Sequence, residues 1–163
     1  MTISLRPIEQ AQRSAFERLF QLYLHDMSQF MRWPVGANGL FAYPQDLLTP
    51  YWARDDHWPY FIYADDQIAG FSLVRVATDD DAIFDMGQFF TLRAFRGKAV
   101  GIEAFHQTVR CHPGQWQVRV LVENTPALGF WTKATAAVAH SGVTVARRDY
   151  QQHLMDYYSF SAG

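Results

Sequence analysis

The chain of 163 residues is 49% hydrophobic and 16% aromatic with only 18% charged residues, which suits one domain with a substantial core and excludes a disordered chain. Sixteen acids against 14 bases give a formal net charge of −2, which argues against a general nucleic-acid binder. No apolar run approaches the roughly 18 residues of a membrane helix, residues 1–7 do not read as a secretory leader, and Cys111, the sole cysteine, allows no intrachain disulfide, so a reducing cytoplasm is the expected location.

Ile3, Leu5 and Pro7 alternate with polar residues and predict a short first strand. Phe16, Leu19, Phe20, Tyr23, Leu24 and Met27 form one apolar stripe at helical spacing. Residues 32–56 hold Pro34, Gly36, Gly39, Pro44 and Pro50 among aromatics, a long irregular segment with a short helix near residues 46–52. Its rings (Trp33, Phe41, Tyr43, Tyr51, Trp52, and Trp58 beyond) either wall a pocket or pack beneath the loop, and packing is the simpler reading. Residues 60–64, 68–76 and 82–92 read as an antiparallel meander, turning at Asp65-Asp66 and at the acidic residues 78–81.

After a basic turn, Ile102, Phe105 and Val109 keep helical spacing until Pro113-Gly114. Residues 116–122 alternate as a strand, and Asn124-Thr125-Pro126 opens a second long helix, with Thr125 expected as its N-cap and Pro126 in first helical position. Residues 143–146 and 153–160 are expected as two final strands. The sum is an α+β, or mixed α/β, domain.

The segment with the most chemistry is Phe89 to Ile102, where a strand ends, a basic glycine-containing turn follows and a helix begins. Backbone N–H groups at a helix start are unpaired and carry partial positive charge, so such a corner can hold phosphate. Gly97 and Gly101 permit close approach, and Arg93, Arg96 and Lys98 add fixed charge. The alternative is a tight turn with a close helix–sheet contact. The pattern is neither a P-loop nor the Gly-x-Gly-x-x-Gly fingerprint.

Arg96-Gly97-Lys98-Ala99-Val100-Gly101 resembles the acetyl-CoA-binding signature of the GCN5-related N-acetyltransferases, the GNAT superfamily. The later strand, Asn124, Ala127 and the Phe130-Trp131 pair resemble that family's second motif, and the element order agrees over residues 3–160. The resemblance implies a twisted, mostly antiparallel sheet of about seven strands flanked by helices and splayed between the fourth and fifth. It implies that main-chain groups of Phe90, Thr91 and Leu92 pair with pantetheine and that amides of Gly97, Lys98, Ala99, Val100, Gly101 and Ile102 hold pyrophosphate beside Arg96. Asn124 would hydrogen-bond the pantetheine and Phe130-Trp131 would flank it. Acetyl-CoA is then the co-substrate, a small-molecule or peptide amine the acceptor, with no nucleic acid or membrane partner, as monomer or homodimer. Ala99 departs from the family's glycine, and Trp131 stands where many members have a tyrosine that protonates the leaving thiolate.

The resemblance also implies direct attack in a ternary complex, which needs a neutral amine and hence a route for its proton. Asp85, in the strand leading to the motif, and Glu123, before Asn124, are the candidate bases, each with a plain solvent-facing alternative. Gln88 could position substrate or water, and the run Asp79-Asp80-Asp81 either attracts a cationic amine or is a solvated turn. Cys111 is expected buried and inert, His25 and His57 structural or surface groups, and the spacing of His106 and His112 argues against a metal. Two other classes remain: an acyl-CoA-binding module without efficient turnover, and an interaction domain using an apolar patch.

Overall fold

The computed structural model describes residues 1–163. Seven strands form one sheet: β1 (Ile3–Pro7), β2 (His57–Ala64), β3 (Gln67–Val76), β4 (Ile83–Thr91), β5 (Gly114–Leu121), β6 (Thr144–Tyr150) and β7 (His153–Ala162), in the order β1-β2-β3-β4-β5-β7-β6. Only β4 and β5 run parallel, because helix α3 (Val100–Cys111) carries the chain between them. The expected α+β architecture is therefore the observed one. No helix is long and apolar enough to cross a membrane.

The predicted stripe forms helix α1 (Arg13–Met31), which buries Phe16, Phe20 and Leu24 against Phe61, Phe71, Leu73 and Phe90 on one sheet face. Fully burying such a side chain is worth about 1.5–3 kcal/mol, so this seam alone fixes α1 on the sheet. The other face carries α3 and α4 (Thr125–Val138), with Phe105, Trp116, Val118 and Trp131 at its centre. The irregular segment holds only a short helix α2 (Pro50–Ala53) and a single 3₁₀ turn at Gln45–Leu47, two pieces where one was expected. Tyr43, Tyr51 and Trp52 pack beneath it onto the α1 cluster.

Three local expectations are corrected. Asn124, not Thr125, caps α4: its side-chain oxygen accepts from the Ala127 N–H at 3.2 Å, and Thr125 is already helical. Cys111 is exposed rather than buried, because the buried stripe of α3 runs through Val100, Ala104, Phe105, Thr108 and Val109. The last two strands are longer than predicted and meet at Gln151 and Gln152, both at positive φ (49° and 69°). Neither is a usual turn residue, so the hairpin had no sequence signature.

His112 is buried at the end of α3, its ring 2.8 Å from the Tyr60 hydroxyl, which makes it a core histidine.

Candidate active site

The parallel pair β4–β5 is short. Ladder pairing runs only from Ile83–Gln115 to Met86–Val118, while β4 continues to Thr91. Beyond Met86 the two strands part, and β4 presents an unpaired edge. On its other side β4 stays bonded to β3, where the Leu92 N–H donates to Ala69 at 2.8 Å. Leu92 therefore has no amide to offer a ligand. By strand alternation Phe89 and Thr91 turn their main-chain groups to the open edge, and the Thr91 carbonyl accepts from Arg96 Nε at 2.9 Å.

At the end of β4 the chain makes a turn over Arg93–Phe95 and enters α3. None of the backbone N–H groups of residues 97–102 donates a well-formed hydrogen bond within the protein, and no side chain caps the helix. Leaving so many amides free needs either solvent or a ligand. Gly97 sits at φ +73° with open space where a Cβ would be. Gly101 is held close: a Cβ there would lie 3.1 Å from the Phe130 ring and 3.3 Å from Thr91 Oγ1. Gly101 thus also serves helix packing, as the alternative reading had it. Ala99, the residue before α3, has φ +61°, a left-handed conformation that costs a non-glycine residue about 1–2 kcal/mol.

These groups border a cavity of about 490 Å³. Of the residues assigned to the co-substrate, Phe90, Thr91, Arg96, Gly97, Ala99, Val100, Gly101, Ile102, Asn124, Phe130 and Trp131 line it, whereas Leu92 and the exposed Lys98 do not. The Trp131 indole is only 8% exposed and packs edge-on to Phe89 and Phe105, yet its N–H has no partner in the protein. The Asn124 oxygen is used in capping, which leaves its amide N–H groups for a ligand.

The opposite wall comes from α1, which the sequence reading did not include. Tyr23, Asp26, Met27, Gln29 and Phe30 all line the cavity. Asp26 bridges Arg93 at 2.9 Å and Arg96 at 2.5 Å. Partial burial works against its charge, but the hydrogen bonds from Arg96 and Arg93 hold its carboxyl below the usual range. Burial pushes the Tyr23 phenol up to about 12, so it stays protonated at neutral pH. Helical spacing marked Tyr23 and Met27 as core; only the arrangement of α1 across the gap brings them to the cavity.

The two candidate bases stand elsewhere. Asp85 is fully buried outside the cavity, with hydrogen bonds from Arg75 Nε (2.8 Å), Arg119 Nη2 (2.9 Å), Arg119 Nε (3.2 Å) and Gln117 (3.1 Å). Burial would raise its pKa, but Arg119 and Arg75 more than offset that, so the carboxylate is a weak proton acceptor. Glu123 is exposed and does not line the cavity. The run Asp79-Asp80-Asp81 is exposed in the β3–β4 turn, at the far end of β4 from the α3 start.

No protein-family model matches the sequence, and no curated protein matches it. Solved structures do match the fold. An acetyltransferase from Thermus thermophilus superposes with a TM-score of 0.71 at 14% identity, over 99% of this chain and 97% of that one. Aminoglycoside acetyltransferase AAC(6')-Ib in complex with coenzyme A gives 0.70 at 14% identity, over 98% and 95%. The Salmonella typhimurium acetyl transferase that modifies the N-terminal serine of ribosomal protein L7/L12 gives 0.65 at 12% identity, over 100% and 96%. With β4 and β5 splayed and α3 opening at their parting, the chain has the fold of the GNAT acetyltransferases.

Proposed function

We propose that the protein is an acetyl-CoA-dependent N-acetyltransferase, passing an acetyl group directly to a primary amine in a ternary complex. The observation that carries this reading is the run of unpartnered amides at residues 97–102, opening into the cavity beside the free edge of β4. Free N–H groups at a helix start, with Arg96 and Arg93 beside them, suit a diphosphate. The outward main-chain groups of Phe89 and the outward N–H of Thr91 suit the amide-bearing pantetheine arm, with Asn124 and Phe130 on its other side. An interaction domain has no use for such a corner.

Bound there, acetyl-CoA supplies an activated thioester; the protein supplies position and hydrogen bonds. The amine must attack as the neutral species, and no unpaired carboxylate or imidazole lines the cavity to take its proton. The proton therefore leaves through water, and turnover rises with pH towards the pKa of the amine. The leaving thiolate, with a pKa of about 8.5 for its thiol, is too weak a base to take the proton of a phenol near 12. Tyr23 and the Trp131 indole act instead as hydrogen-bond donors to developing negative charge.

Calorimetric titration with acetyl-CoA tests the first step. Micromolar binding is expected, weakened at least tenfold by Gly101→Glu, whose side chain would enter a space already closed by Phe130 and Thr91. No heat at millimolar ligand, with the protein folded, would overturn the assignment.

A further inference from the structure

On the α1 face of the sheet, where β4 and β5 part, a charge cluster lies next to the cavity without lining it. The bulge around Gly87 brings Asp85, Gln88 and Phe90 to this same face. Arg119 is the first β5 residue past the last β4–β5 pair, and Gln88 the second on β4, so the two flank the mouth of the gap. Arg75 approaches from β3, and the Tyr150 ring of β6 lies 4.1 Å from the Arg119 guanidinium.

Asp85 is the only acid touching these two guanidiniums, and its oxygens are filled by them and by Gln117. Asp56 and Asp156, on neighbouring strands or their ends, are committed elsewhere: Asp56 to Arg54 and His57, Asp156 to Arg147. Two cations share one anion, which leaves a surplus of one positive charge. The Tyr150 phenol feels it: burial would raise its pKa, but Arg119 and Arg75 bring it below the ordinary value. The Nη groups of Arg75 and Nη1 of Arg119 face no carboxylate; the Tyr150 hydroxyl hydrogen-bonds towards both guanidiniums, but one hydroxyl oxygen cannot fill all of these N–H groups, although the side chains are only 18% and 8% exposed. Gln88 adds the complementary feature: its Oε1 is buried without any hydrogen-bond donor. An orphan acceptor at the gap and spare guanidinium N–H groups beside it are a pair of sites, one for an N–H and one for an oxyanion.

We propose that the acceptor is a small amine that also carries a carboxylate, an amino acid or close analogue, with the carboxylate on the free N–H groups of Arg75 and Arg119 and the amine N–H towards Gln88 Oε1. The inference rests on the acetyltransferase reading and deepens it. A monoanion matches the surplus of one charge, whereas a polycation such as kanamycin, bound with coenzyme A in one of the matching structures, would meet repulsion here.

The test uses the wild-type protein with acetyl-CoA and follows thiol release for a panel of amino acids, each beside its carboxamide and its decarboxylated amine, with kanamycin and spermine as polycations. The expected result is kcat/KM at least about tenfold higher for the free acid than for its carboxamide, with no turnover of the polycations. In parallel, N-acetyl amino acids and their carboxamides are titrated into protein saturated with coenzyme A. The acids should bind at least about tenfold more tightly, and Arg75→Gln or Arg119→Gln should erase that preference while leaving the coenzyme A heat unchanged. Equal or stronger binding of the carboxamides, preference for the polycations, or no binding of any acid to the loaded protein overturns the carboxylate assignment. Loss of the coenzyme A heat itself fails the acetyltransferase reading instead.

Discussion

Asp26 places a negative charge where the reading puts a diphosphate. Its carboxylate holds Arg93 and Arg96, and Arg96 at the same time occupies the Thr91 carbonyl on the free edge of β4. A bound diphosphate would take over those guanidiniums, and Asp26 would then face an anion of its own sign. The perturbation that isolates this is Asp26→Asn, which keeps the shape and removes the charge. The pairs are exposed on the arginine side, 74% for Arg93 and 45% for Arg96, so their loss lowers fold stability by no more than about 1 kcal/mol. Against the ligand, one unit charge acting over about 6–8 Å at an effective dielectric of about 40–80 is worth about 0.5–1.4 kcal/mol. Binding of coenzyme A should therefore tighten about 2- to 10-fold in Asp26→Asn. Calorimetry at low and high salt is the assay, and the gain should shrink as salt screens the repulsion. If the variant binds more weakly than wild type, Asp26 orients the two arginines for the phosphates instead of competing with them, and the reasoning fails.

Two further predictions concern the same corner and the buried ion cluster. Ala99→Gly removes the left-handed penalty at φ +61°, set against the extra chain entropy of glycine; the net gain is about 0.5–1 kcal/mol, read as a melting temperature about 1–4 °C higher. A lower melting temperature would mean that Ala99 is unstrained. Asp85→Asn leaves two guanidiniums near one another without their carboxylate and should cost about 3–5 kcal/mol in chemical denaturation. Because the folded pKa of Asp85 lies below its unfolded value of about 3.9, the stability it contributes is complete above that value and is lost as pH falls through the lower, folded pKa. Acid denaturation below pH of about 4 should therefore be less steep in Asp85→Asn than in wild type. Unchanged stability in the variant would refute the view that this carboxylate holds the two guanidiniums together.

What the sequence made legible was whatever one element carries by itself. The stripe from Phe16 to Met27, the alternation of Trp116, Val118 and Val120, and the strand–basic turn–helix at residues 89–102 each state their structure through period or composition, and each stands as read. The glycine-containing turn could be placed at a helix start, though not shown to be unsealed, since that depends on which groups elsewhere donate to or cap it. What the sequence hid was made by pairs distant in the chain. Asp26 reads as one polar position on an amphipathic helix; only the docking of α1 across β4 sets it 70 residues along the chain from Arg96 and in contact with it. Asp85 reads as a lone strand acid with base chemistry to offer, and its neutralisation comes from Arg75 and Arg119 on two neighbouring strands. The bulge at Gly87 is equally silent, yet it decides that Gln88 and Asp85 share a face. The Asp85 carboxylate, which alone would offer base chemistry, is held ionised below its usual range by Arg119 and Arg75 against the effect of burial, it stands outside the cavity, and the two guanidiniums outnumber it by one charge.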